Sequence, residues 1–284
     1  MMASSAENSY VLLYNQHRMP QQGLGVWKAA KGDETYNNVR CALEVGYRLI
    51  DTASLYGNEA DVGRAVRDSG IPREEVFVTT KVWNADHGYQ KTIDAMESSL
   101  AALGLDYVDL YLIHWPGPQE SFVETWRAME FLYERGKARA IGLSNFDEDQ
   151  TQVLLDHCKV RPMVNQVEVH PLGQRKMLRS LCAKAGIVVM ASRPLCRGEA
   201  LKLPALQEIA SKHHHTVAQV LLRWNMQSGM VAIPKSNHAD RIRENFQIHD
   251  FMLDDDDMKK IDGLNEEKLF GNDSKTFFPL EYSP

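Results

Sequence analysis

The sequence predicts an α/β fold, a (β/α)8 TIM barrel with an N-terminal β-hairpin and extra helices near the C-terminus. Three observations carry this expectation. Short runs of β-type residues alternate with longer stretches of helical period, and eight such units follow an initial hairpin pattern. The runs are apolar on both faces, as strands of a covered parallel sheet are. They also end repeatedly on polar residues, which a barrel gathers on one rim. With 284 residues, the chain is long for one domain but ordinary for an α/β barrel, and we expect a single domain over residues 1–284. An open doubly wound sheet is the rival arrangement on pattern alone.

The elements follow in order. "YVLLYNQHRMP" (Tyr10–Pro20) reads as the hairpin. The eight barrel strands are then "GLGVW", "YRLIDT", "VFVTTKV", "VDLYLIHW", "ARAIGLSN", "MVNQVEV", "IVVMAS" and "MVAIPK". Between them, "KTIDAMESSLAAL" and "ETWRAMEFLYERG" place apolar residues at helical spacing. The acidic run Leu253–Asp257 reads as a helix start, where carboxylates suit the helix dipole.

Composition excludes several classes. A formal charge of −6 argues against a nucleic-acid binder, which needs a basic face. No apolar run approaches membrane-spanning length, and the N-terminus has no secretory pattern. Cys41, Cys158, Cys182 and Cys196 are scattered without a C-x-x-C pair, so a reduced, cytoplasmic protein is expected. His213, His214 and His215 are consecutive, and their side chains diverge from a helix end; no metal is expected.

The polar strand ends are Asp51, Lys81, His114, Ser144-Asn145, Ser192 and Lys235-Ser236, with Gln166 on the sixth strand. Taken singly, each has an ordinary role: a loop carboxylate, a snorkelling lysine, a core histidine, or a rim aromatic in the case of Tyr56. Together they form a chemical set. A phenol is a weak acid at neutral pH, and a neighbouring ammonium favours its phenolate and so improves proton donation. A buried lysine needs a counter-charge, which Asp51 offers. An imidazole can hydrogen-bond an oxygen that is gaining charge. The set suits protonation of an oxyanion as a carbonyl becomes an alcohol.

"YRLIDTASLYGNE", "VFVTTKVW", "VDLYLIHWP", "IGLSNF", "MVNQVEVHP" and "IPKSNHADRIREN" together resemble the aldo-keto reductase superfamily, in family order over nearly the whole chain. The short "WPGPQESFVETW" is closer to the bacterial and protozoan branch, which includes prostaglandin F synthases and 2,5-diketo-gluconate reductases. The resemblance implies a monomeric barrel that reduces aldehydes or ketones, including keto-lipids or endoperoxides of prostaglandin type, with NADPH. It implies Tyr56 as general acid, Asp51 and Lys81 as its tuning pair, and His114 as the group orienting the carbonyl. Ser144, Asn145 and Gln166 would hold the nicotinamide carboxamide, and Ser192, Arg193 and Leu195 would lie along the cofactor. Lys235, Ser236, Arg241, Glu244 and Asn245 would bind the adenosine end. Trp27, Trp83 and Trp115 would line an apolar substrate pocket.

Two features bear on the cofactor directly. The chain has no G-x-G-x-x-G turn, whereas "PKSNHADRIREN" offers a lysine, a hydroxyl and an arginine at a helix start, suited to the 2′-phosphate of NADPH. "ASRPLCRG" departs from the family's Ala-aromatic-Ser-Pro-Leu-Gly: Ser192 stands at the position of the stacking aromatic, Arg193 follows, and Cys196 replaces the glycine. Serine has no stacking face. A cofactor-binding regulatory protein with weak catalysis is therefore the alternative on the same barrel. A metal hydrolase is disfavoured because no strand carries an H-x-H pair.

Overall fold

A computed structural model describes residues 9–277. The N-terminal "MMASSAEN", read above for secretory signals, and the final residues 278–284 lie outside them.

The hairpin pairs β1 (Tyr10–Leu12) antiparallel with β2 (Arg18–Pro20). Eight parallel strands follow: β3 (Leu24–Gly25), β4 (Leu49–Asp51), β5 (Phe77–Val82), β6 (Leu110–Ile113), β7 (Ile141–Ser144), β8 (Val164–Glu168), β9 (Val188–Ser192) and β10 (Val231–Ala232). They lie in sequence order across one sheet. Parallel bridges Gln22↔Ala232 and Gly25↔Lys235 join its two edges, so the sheet closes on itself. This is the expected (β/α)8 architecture. The first and last strands are shorter than their apolar runs, because their pairing continues as isolated bridges. All six residues of β5 are buried, which is why its pattern runs apolar rather than alternating.

Helices α1 (Asp33–Val45), α2 (Glu59–Arg67), α3 (Tyr89–Leu103), α4 (Gln119–Glu134), α5 (Glu148–His157) and α6 (Lys176–Ala185) alternate with the strands. Two helices, α7 (Pro204–His213) and α8 (Val217–Gln227), separate β9 from β10, and α9 (Ala239–Phe246) and α10 (Asp255–Asp262) follow. The acidic run starts α10 as expected: Asp254 caps it and Asp257 completes a capping box. The histidine run ends α7, with His214 in the left-handed region at its C-cap. His213 bonds Asp257 at 2.7 Å and His215 stacks on Phe251 at 3.9 Å between centroids. Helices α2 and α3 meet at Gly63, where a Cβ would fall 1.8 Å from the Leu103 carbonyl oxygen.

Candidate active site

The C-terminal strand ends surround a cavity of about 360 Å³ that Asp51, Tyr56, His114 and all three expected tryptophans line. Each side chain is fixed locally. Asp51 ends β4, and the chain then turns through a 3₁₀ segment, Ser54–Tyr56, closed by Gly57 at φ +63°. Thr52 Oγ1 donates to Asn58 Oδ1 at 2.8 Å, and Asn58 Nδ2 donates to the Val26 carbonyl at 3.1 Å. Ser54 Oγ donates to the Lys81 carbonyl at 2.9 Å. The turn presenting Tyr56 is thereby tied to two neighbouring strands.

Lys81 has no exposed side-chain surface. Its Nζ donates to Asp51 Oδ1 and to the Thr52 carbonyl, both at 2.7 Å, and lies 3.4 Å from Tyr56 Oη. Burial pulls the amine toward neutrality, but Asp51 and Tyr56 outweigh it and hold its pKa above the ordinary lysine value. On the Tyr56 phenol, burial opposes the influence of Lys81 that the sequence suggests. Lys81 does draw its pKa down, but burial, supported by the Asp51 charge, wins and leaves it raised. The phenol therefore keeps its proton at neutral pH. Burial, helped by the Lys81 charge, holds His114 well below the ordinary histidine range, so its imidazole is neutral. Its ring meets Tyr56 and Trp83 edge-on, at 5.5 and 5.2 Å between centroids. Trp27 packs on Tyr56 at 4.7 Å.

Ser144, Asn145 and Gln166 form one polar wall of the cavity. Asn145, at φ +62°, donates to the His114 carbonyl at 2.8 Å and to Ser144 Oγ at 3.1 Å. Gln166 Nε2 donates to Asp51 Oδ2 at 2.7 Å, which joins the polar wall to the Asp51–Lys81 pair. Ser192, at the end of the neighbouring strand β9, and Arg193 and Leu195 just beyond it also line the cavity. A second cavity, of about 510 Å³, shares Leu195, Arg197 and Lys235 with the first and collects Ser236, Arg241, Glu244 and Asn245. All the residues expected at the adenosine end thus meet on one groove. The first cavity holds the amide and hydroxyl groups of Ser144, Asn145 and Gln166, the second holds Arg241, and Lys235 lines both. This suits a ligand with a carboxamide at one end and phosphates at the other. Gly25 also lines the cavity, where a Cβ would come within 3.2 Å of the Ile233 carbonyl oxygen.

Sequence reading missed Glu168 and Arg197; it expected the segment from Phe270 onward to discriminate among substrates without singling out Asn272 or Phe277. Glu168 is buried; its Oε1 accepts from His170 Nε2 at 2.9 Å and from the Phe270 amide at 2.7 Å, and its Oε2 lies 3.3 Å from Arg193. Burial works to raise its pKa, but these three partners prevail and keep it below the ordinary glutamate value. A signal was present: Glu168 lies two residues beyond Gln166 on the same strand and so faces the same side. Phe277 packs on Trp115 at 4.5 Å, a contact between segments more than 150 residues apart that no local pattern announces.

Known proteins share this arrangement of chain. Residues 22–266 match the Aldo/keto reductase family. A 9,11-endoperoxide prostaglandin H2 reductase of Trypanosoma cruzi (strain CL Brener) is 55% identical over 95% of this chain and 96% of its own. A glyoxal reductase of Bacillus subtilis (strain 168) is 50% identical, covering 92% and 94%. The solved structure of a substituted Gox0644 in complex with NADPH superposes with a TM-score of 0.91 at 40% identity, covering 95% of this chain and 98% of that one. The fold and the family match define an oxidoreductase: the chain belongs to the aldo/keto reductase family. Its class of reaction is the nicotinamide-dependent reduction of small carbonyl compounds.

Proposed function

We propose that the protein reduces aldehydes and ketones to alcohols with NADPH, with Tyr56 as the proton donor. The carrying observation is the buried chain Gln166–Asp51–Lys81–Tyr56, which ends on a protonated phenol in a cavity walled by Trp27, Trp83 and Trp115. NADPH, when bound, supplies the hydrogen and the electron pair that go to the carbonyl carbon. Tyr56 gives its proton to the carbonyl oxygen, and Lys81 at 3.4 Å stabilises the phenolate left behind. Asp51 keeps Lys81 charged so that it can do so. His114, neutral, directs the carbonyl oxygen toward Tyr56 by hydrogen bonding. Ser144, Asn145 and Gln166 hold the carboxamide, while Leu195 and the Ser192 region border the cofactor. Ser236, Glu244 and Asn245 receive the adenosine, and Lys235 and Arg241 its 2′-phosphate.

The prostaglandin endoperoxide and glyoxal named for the two relatives frame the substrate range. The tryptophan-lined cavity favours apolar or aromatic carbonyl compounds, keto-lipids among them, and an endoperoxide would be a second class of substrate, reduced at its O–O bond. The test is a panel of aromatic aldehydes, glyoxal and prostaglandin H2, followed by loss of NADPH absorbance and by product analysis. One molecule of product per NADPH consumed is the expected result, an alcohol from each carbonyl compound and a diol from the endoperoxide. Cofactor binding without turnover of any member would instead support a regulatory protein on this barrel.

A further inference from the structure

We propose that Arg193 is a specificity-determining residue that recognises an anionic group, a carboxylate, on the carbonyl substrate; the inference rests on the reductase reading above. Three cationic residues line the catalytic cavity: Arg193, Arg197 and Lys235. Arg197 and Lys235 also line the second cavity, where the dinucleotide's phosphates are assigned. Arg193 does not. It belongs to the chamber of Tyr56 and His114, and its charge is felt at the Tyr56 hydroxyl.

The guanidinium is held in place but not saturated. Its one protein partner among the described residues is Glu168, through a single nitrogen at 3.3 Å. That is longer than a charge-assisted bond of about 2.7–2.9 Å, and a guanidinium has five donors. Glu168 is meanwhile committed to His170 and to the Phe270 amide. The side chain remains 29% exposed. Gly271 lies against it, where a Cβ would come within 2.8 Å of the same nitrogen, so the segment carrying Asn272 and Phe277 keeps the arginine from swinging out on that side. The backbone at Arg193 is in the left-handed region, φ +49°, which directs the side chain from an uncommon starting geometry. A fixed, partly desolvated arginine with free donors in a small apolar cavity suits a carboxylate, which it can bind through two parallel bonds.

The test compares 4-formylbenzoate with its neutral methyl ester, using the full chain with saturating NADPH. Wild type should favour the charged aldehyde in kcat/KM, and rising salt should narrow that preference. Arg193→Gln should lower kcat/KM for 4-formylbenzoate by about tenfold or more relative to the ester, mainly through KM. Arg193→Lys should restore part of the preference, and the Kd for NADPH from fluorescence titration should not change. An equal loss for both aldehydes together with weaker NADPH binding would assign Arg193 to the cofactor and overturn the proposal. Absence of any charge preference in the wild type would overturn it without recourse to a variant. A wild type that turns over neither aldehyde would defeat the reductase reading itself.

Discussion

Lys81 is a fully buried cation held by two 2.7 Å bonds, and its removal would leave Asp51 as a buried charge short of its counter-ion. Breaking such a pair from one side costs about 3–5 kcal/mol. Lys81→Met should lower unfolding free energy in urea by that amount, and Asp51→Asn added to it should recover part of the loss. A cost below about 1 kcal/mol would show that the pair is not sealed from water. His114 gives a pH signature. Its folded pKa lies well below its unfolded value of about 6.5, so the unfolded chain takes up a proton that the folded chain refuses. Its contribution is therefore complete above about pH 6.5 and is lost as the pH falls below it. The stability of wild type relative to His114→Gln should decline from pH 8 to pH 5; a constant difference would contradict the buried, neutral imidazole. At this scale the residue types were legible, because Asp51, Lys81 and His114 end apolar runs. The direction of the Tyr56 shift was not, because it depends on how many groups remote in sequence cover the ring.

At the scale of elements, glycine and the start of α9 set the constraints. Gly63→Ala would drive a methyl group into the Leu103 carbonyl and force α2 and α3 apart. Overpacking of this kind costs about 1–3 kcal/mol, and a thermal or urea midpoint that does not fall would show that the two helices yield freely. Arg241 enters the groove from the first turn of α9. In the proposed mode, Arg241→Ala weakens NADPH roughly ten- to a hundredfold and NADH little, the loss of a charge-assisted contact to the 2′-phosphate. Equal weakening of both cofactors in parallel titrations would remove that assignment. The elements themselves were readable from period and charge: the acidic run Leu253–Asp257 announces α10, and Tyr10–Pro20 reads as the hairpin that β1 and β2 form. The loop after β9 was only half readable. Its sequence shows Ser192 and Arg193 where an aromatic and a serine are usual. That Arg193, Cys196 and Arg197 all adopt positive φ, and that Arg193 is held to Glu168, follows from packing across the barrel.

Across the whole molecule, the barrel collects onto one rim residues far apart in sequence, 115 positions in the directly bonded pair of Asp51 and Gln166. Eight alternations of strand and helix made that rim legible before any coordinate, because a closed parallel sheet has one C-terminal face. Two things were hidden. Closure occurs through single bridges at Gln22 and Gly25, outside regular strand pairing. The segment that brings Asn272 and Phe277 to the cavity follows the last helix and has no period to read. The central claim is that this rim serves proton donation from Tyr56 to a carbonyl. It is tested most directly by following NADPH absorbance with a reducible aromatic aldehyde for wild type and Tyr56→Phe, with NADPH affinity measured in parallel. The account predicts that kcat falls by about 10²- to 10⁴-fold while NADPH binds as before. A Phe variant that turns over at the wild-type rate would contradict it.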